Sequence, residues 1–194
     1  MTHRHALIPM CALLTLFLAG EAFALDGYRD RRSVFGGMSL GGGVGMVESG
    51  TVGEASGLDQ GRRLGFHLNG IMGTGISRNL LFGLEANWWA RTVVLQDVDL
   101  EHHHLSLNAT ANFFLIEGLY LDGGAGIAYG YSGFFSGNQA RQRGEMGLAL
   151  KGGAGVEFFS SADMTIGIRA NYTRHFYANS NFDTISGAFS VRWY

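Results

Sequence analysis

Cysteine, proline, charge and long apolar runs are all scarce in this chain of 194 residues. The single cysteine, Cys11, sits in an N-terminal apolar stretch and lacks the Leu-small-small context of a lipoprotein signal. A mature chain without that stretch has no thiol, so disulfides and cysteine-ligated metals are excluded. Only 15% of residues are charged, against roughly 25% in soluble domains, too few to coat a water-facing surface. Overall hydropathy is nevertheless only slightly positive. After residue 24 no apolar run approaches the ~20 residues of a membrane-spanning helix. A formal net charge of −2 leaves no basic excess for a phosphate backbone, so nucleic acid is not an expected partner.

What is abundant is glycine, with 31 residues, and aromatic side chains, at 12%. The N-terminus reads as an address. Arg4, with His3 and His5, precedes the apolar stretch Ala6 to Ala19, and Ala22-Phe23-Ala24 supplies a small-x-small cleavage pattern. The expected division is a signal peptide at 1–24, an N-terminal segment at 25–33 and one domain at 34–194.

From Val34 onward the apolar residues recur at every second position, the period of a strand with one apolar face. Val34, Met38, Leu40, Val44 and Met46 begin the series. Leu64, Phe66, Leu68, Met72 and Ile76 continue it, opposite Gly65, His67, Asn69, Gly73 and Gly75. Phe82, Leu84, Ala86 and Trp88 then alternate with Gly83, Glu85, Asn87 and Trp89. The pattern repeats through Leu105 to Leu115, Leu119 to Tyr131, Met146 to Phe159, Met164 to His175 and Ile185 to Trp193, giving eight strands. In the sixth, Phe159 falls on the face opposite Phe158. Long polar connections are expected near 48–61, 95–102 and 132–144, with a shorter one near 178–181. Tight turns are expected at Ser77-Arg78-Asn79, Glu117-Gly118 and Ser160 to Asp163. Short turns alternating with longer loops are the mark of an up-and-down barrel.

Alternation alone fits an apolar face turned in, as in a soluble barrel, or out, as in a membrane barrel. The second face decides: it is mostly Gly, Ser, Thr and Asn, not the Lys, Glu and Asp that water would require. Such residues suit a narrow lumen, where glycines leave room for larger neighbours such as Trp89 and Arg169. The expected fold is therefore all-β, an eight-stranded antiparallel up-and-down transmembrane β-barrel, closed because lipid tolerates no open strand edge. Trp88, Tyr129, Tyr131, Phe158, Tyr172, Phe176, Tyr177, Trp193 and Tyr194 lie near strand ends, where interfacial girdles form.

Signal peptide, eight Gly-rich alternating strands and the ending Phe189-Ser190-Val191-Arg192-Trp193-Tyr194 together resemble the small outer-membrane β-barrel superfamily of OmpA-, OmpX- and OmpW-type proteins. The resemblance covers residues 34–194. It implies the outer membrane of a diderm bacterium as location, insertion by the barrel-assembly machinery, and contact with outer-membrane lipid and lipopolysaccharide. One departure is that the apolar face of the last strand ends on Trp193, which leaves Tyr194 on the other face.

Six ionisable residues fall on the inward face: Glu85, Arg91, Asp122, Lys151, Glu157 and Arg169. They suit an ion-pair network in a plugged lumen better than a selective path, because an unpaired buried charge is costly. His102 and His104 share a side and could grip a metal with His67 or Asp99, although such a rim pair is commonly solvated surface. Lipid A deacylases of this superfamily carry a His-x-Ser pair late in the seventh strand and a Glu on the eighth. Here Tyr172 and Arg174 stand at the pair positions and Ser186 near the acid, with His175 and Thr173 as a loose alternative. The matching triad is absent, so no catalytic residue, cofactor or metal is expected. Phe134, Phe135, Arg141 and Arg143 mark the 132–144 connection as an external contact surface for a protein, a ligand or lipopolysaccharide phosphates. The leading expectation is a non-enzymatic barrel with a structural or surface-interaction role in the envelope. A narrow, porin-like channel for small or apolar solutes is the alternative, and a lipid A-modifying enzyme comes third.

Overall fold

A computed structural model describes residues 31–48, 63–95, 98–136, 139–161, 163–178 and 180–194. The expected signal peptide, Cys11 and the polar stretch 49–62 lie outside the described residues. Eight strands follow one another: β1 (Val34–Glu48), β2 (Arg63–Gly75), β3 (Leu80–Leu95), β4 (Val98–Ile116), β5 (Leu119–Ser136), β6 (Gln139–Ser160), β7 (Met164–Tyr177) and β8 (Asn181–Trp193). Each pairs antiparallel with the next, and β1 pairs with β8 from Gly36↔Trp193 to Glu48↔Asn181, so the barrel is closed.

Three tight connections define one end, the turn end. Around residues 76–79 the Ile76 amide donates to the Leu80 carbonyl at 2.9 Å, and in the last turn the Ser161 amide donates to the Met164 carbonyl at 2.8 Å. Between β4 and β5 the turn is Glu117-Gly118. Gly118 has φ of 85°, a conformation that glycine adopts without steric cost.

At the opposite end the structure differs from the expectation. The connections expected at 95–102 and 132–144 are mostly strand. Pairing of β3 with β4 runs to Leu95↔Val98, and that of β5 with β6 continues from Tyr131↔Gly144 to Ser136↔Gln139. Phe134, Phe135, Arg141 and Arg143 are thus strand residues, not loop residues. The physical reason is that apolar alternation reports where an apolar environment ends, whereas a backbone ladder can continue into water.

The apolar face is outside. Leu40 is 53% exposed, Leu150 54% and Phe189 70%, while Ser39, Asn69, Glu85, Asn108, Lys151 and Arg169 are buried. This excludes the soluble-barrel alternative with apolar residues turned inward. Inside, bulky rings occupy space that glycines vacate: a Cβ on Gly65 would lie 2.4 Å from the Trp89 ring, and one on Gly155 2.3 Å from the Tyr120 ring.

Two rings expected in the outer girdle are instead internal. Tyr177 belongs to a buried cluster with Trp89, Ala128, Ala149 and Phe182. Tyr194 packs against a second cluster of Phe35, Ile71, Leu81, Phe114 and Tyr120 near the turn end. Both follow the alternation, Tyr177 at an inward position of β7 and Tyr194 on the face opposite Trp193. Phe159 departs in the other direction: a bulge between Glu157 and Phe159 slips the register and leaves Phe158 and Phe159 both outside.

Candidate functional site

Midway along the lumen, side chains from five strands meet. Lys151 on β6 contacts Glu85 on β3 and lies 2.9 Å from Asp122 on β5. Arg169 on β7 approaches Glu85 at 3.3 Å and Asp122 at 3.5 Å. Two carboxylates and two cations cancel. Asn69 on β2 completes the set: its amide donates to Glu85 at 2.6 Å and its carbonyl accepts from Arg169 at 2.9 Å. Asn171 accepts from Arg169 at 3.0 Å. Alternation explains the convergence, since each of these residues holds an inward position and the register brings Asp122 opposite Gly153, on the strand that carries Lys151. The arrangement spans the bore and is held from several sides.

Four of the six ionisable residues expected in the lumen are therefore joined. Glu157 belongs to a second group nearer the turn end. Its carboxylate accepts from Arg192 at 3.1 Å and from the Tyr194 hydroxyl at 2.9 Å, and lies 3.6 Å from Arg31. Arg192 also donates to Asn112 at 3.1 Å, while the Arg31 guanidinium lies 3.9 Å from the centre of the Phe114 ring. Arg192 was legible as an inward residue from its place between Val191 and Trp193. Arg31 precedes the first strand, where no periodicity exists to place it. Arg91 is buried further along β3, opposite His102 in the β3–β4 register and apart from both groups.

The histidine run divides between the two faces. His102 and His104 are buried inside. His104 stacks on Phe182 with ring centres 3.5 Å apart, and its Nδ1 lies 2.9 Å from the Tyr177 hydroxyl. His103 faces outward, stacked on Trp88, whose indole N–H donates to His103 Nδ1 at 3.3 Å. Among the described residues no three His, Cys, Asp or Glu side chains gather as a metal site, and the Asp99 side chain lies outside them.

The positions compared with a deacylase also separate. Tyr172 and Arg174 face outward with Asp183: the Tyr172 hydroxyl donates to Asp183 at 2.9 Å, and Arg174 lies 3.6 Å from the same carboxylate. Thr173, His175 and Ser186 are buried inside. His175 Nδ1 is 3.2 Å from the Phe182 carbonyl. The two groups lie on opposite sides of one sheet and form no common proton relay. Of the external contact residues, Arg143 is half-exposed and ion-paired with Glu145 at 2.8 Å. The side chains of Phe134, Phe135 and Arg141 lie outside the described residues.

No protein-family model matches the sequence, and none of the curated proteins matches it. Among solved structures the chain is similar to Ail, the attachment invasion locus protein of Yersinia pestis, with TM-score 0.61 and 18% identity over 82% of this chain and 99% of that one. Ail in complex with the heparin analogue sucrose octasulfate gives TM-score 0.60 and 17% identity over the same shares. Neisserial surface protein A gives TM-score 0.54 and 13% identity over 82% of this chain and 96% of that one. The fold is that of the small eight-stranded outer-membrane β-barrels.

Proposed function

We propose that this chain is a non-enzymatic outer-membrane barrel with a closed lumen, acting in the envelope through its outer wall and its external end. The observation that carries the reading is the central set of Glu85, Asp122, Lys151 and Arg169, which crosses the bore and neutralises itself. A bore of eight strands is only wide enough for side chains to fill, and here both ends of the polar middle carry buried aromatic clusters. Residues 1–24 would direct export and be removed, and the barrel-assembly machinery would insert the remainder.

Arg141 and Arg143 of β6 would serve as contacts for lipopolysaccharide phosphates or a protein partner. The ion pair of Arg143 with Glu145 makes Arg143 a preorganised donor but reduces its net charge. The channel alternative draws on the glycines of the inner face. At Gly65, Gly130 and Gly155 the space a side chain would take is occupied by the rings of Trp89, Tyr177 and Tyr120, which favours the closed reading.

Planar-bilayer recording of the inserted protein tests the proposal. The expected result is a silent bilayer at moderate voltage. Reproducible unitary conductance steps that scale with salt would overturn the closed lumen and install the channel in its place.

A further inference from the structure

On the outer wall the described acidic, basic and histidine side chains within the strands are few: Glu101 and His103 on β4, Arg174 on β7 and Asp183 on β8. Asp183 is the anomaly, a carboxylate on an apolar wall whose side chain is 7% exposed. It is sealed under Tyr172 and Arg174. Arg174 is 30% exposed and its guanidinium lies 5.5 Å from the Phe176 ring centre. The cation is thus the half of the pair that reaches the surface. It is five positions along β7 from Arg169, roughly 12 Å above the central network once strand tilt is included. That is half the ~25 Å apolar band of such barrels and places Arg174 at the outer headgroup level.

Below this pair, on the same two strands and their neighbours, runs a groove of about 560 Å³ whose floor includes Gly42, Ala154, Ala170 and Gly187. The register aligns them across four strands: Gly42 opposite Gly187, Gly187 opposite Ala170, and Ala170 opposite Ala154. Barrel packing does not require glycine there. A Cβ on Gly187 meets nothing within 4 Å and one on Gly42 only ordinary contact at 3.5 Å, whereas inward Gly41 and Gly43 would clash with β8. From Arg174 to Ala170 is four residues, roughly 13 Å of strand, a span that an acyl chain attached to a headgroup at Arg174 covers. A second groove, of about 350 Å³, lies on the far side beside Gly70 and Ala86. The outward acidic and histidine groups on its strands are Glu101 and His103, without an arginine or lysine among the described residues.

We propose that Arg174, held by Asp183 and flanked by Tyr172 and Phe176, binds a phosphate of an outer-leaflet lipid A molecule, one acyl chain of which lies in the Gly42–Gly187–Ala170–Ala154 groove. This rests on the reading that the apolar wall faces outer-membrane lipid. The charge favours this occupant: a phosphate approaching the wall meets the guanidinium first, and the carboxylate behind it fixes the guanidinium's orientation.

Native mass spectrometry of the detergent-purified protein titrated with bisphosphorylated lipid A tests the site. Arg174→Gln combined with Asp183→Asn removes both charges without stranding a carboxylate on the wall. Gly187→Leu fills the groove at a position with room for a side chain, and Gly70→Leu does the same in the far groove as a control. One tightly held lipid A is expected on the wild type. Affinity should fall roughly tenfold or more in the charge variant and also in Gly187→Leu, and stay unchanged in Gly70→Leu. Wild-type affinity in the charge variant or in Gly187→Leu, or equal binding of dephosphorylated lipid A, overturns the proposal while leaving the membrane reading intact. A wild type that stays in solution without detergent and refuses lipid vesicles would remove the membrane reading and this site together.

Discussion

Charges inside a narrow barrel are tolerated only as sets, and the central group shows how closely the members depend on one another. Lys151 touches both Glu85 and Asp122, and Arg169 reaches the same two carboxylates from the other side. Replacing Lys151 with Met leaves two buried carboxylates facing one buried guanidinium. Removing one partner of a buried pair typically costs about 3–5 kcal/mol. We expect Lys151→Met to lower stability by about that amount, measured by urea unfolding from lipid vesicles, and Lys151→Met combined with Asp122→Asn to recover a large part of the loss. A single variant as stable as wild type would mean that the lumen admits water freely. Glu85, Asp122, Lys151 and Arg169 are readable in the alternation as charged inward positions. Asn69 was visible as inward but carried no charge to mark it as the residue that bridges Glu85 and Arg169.

At the level of the strand, one face and one depth decide what a position can hold. Leu150 adjoins Lys151 and is 54% exposed on the outer wall, near mid-height; Phe158 is equally exposed, at 53%, but lies toward the turn end of the same strand. Arginine on the lipid face costs about 2–4 kcal/mol at the midplane and about 0–1 near the interfaces. Leu150→Arg should therefore destabilise the inserted barrel by about 2–4 kcal/mol and Phe158→Arg by less than about 1 kcal/mol, read from the same vesicle unfolding. Equal costs would mean that the wall has no apolar midplane. This dependence on environment also explains which parts of the fold the sequence disclosed. Wherever lipid and lumen lie on opposite sides of a strand, the two-residue period is enforced, and all eight strands were legible there. Between Ser132 and Arg143 the sequence alternation lapses, so the ladder from Tyr131↔Gly144 to Ser136↔Gln139 reads as loop. The bulge at Glu157/Phe159 was equally hidden, because an inserted residue changes the register without changing composition.

For the molecule as a whole, closure is the property on which every other statement depends. The β1–β8 seam is continuous from Gly36↔Trp193 to Glu48↔Asn181, so among the described residues no pair of neighbouring strands is left unjoined. Near the turn end that seam is supported from within, since Arg192 of β8 and Tyr194 are tied to Glu157 of β6, with Arg31 beside them. A closed ladder offers dodecyl sulfate no edge from which to peel strands, so unfolding must break many hydrogen bonds together and is slow without heat. The protein refolded in detergent should therefore migrate differently before and after boiling, and the unboiled form should give a β-rich far-ultraviolet circular dichroism spectrum. Mobility that boiling leaves unchanged, in a protein that stays soluble without detergent, would mean that the apolar wall of Leu40, Leu150 and Phe189 is not turned toward lipid. The lipid A site proposed on Arg174 would then have no membrane in which to operate.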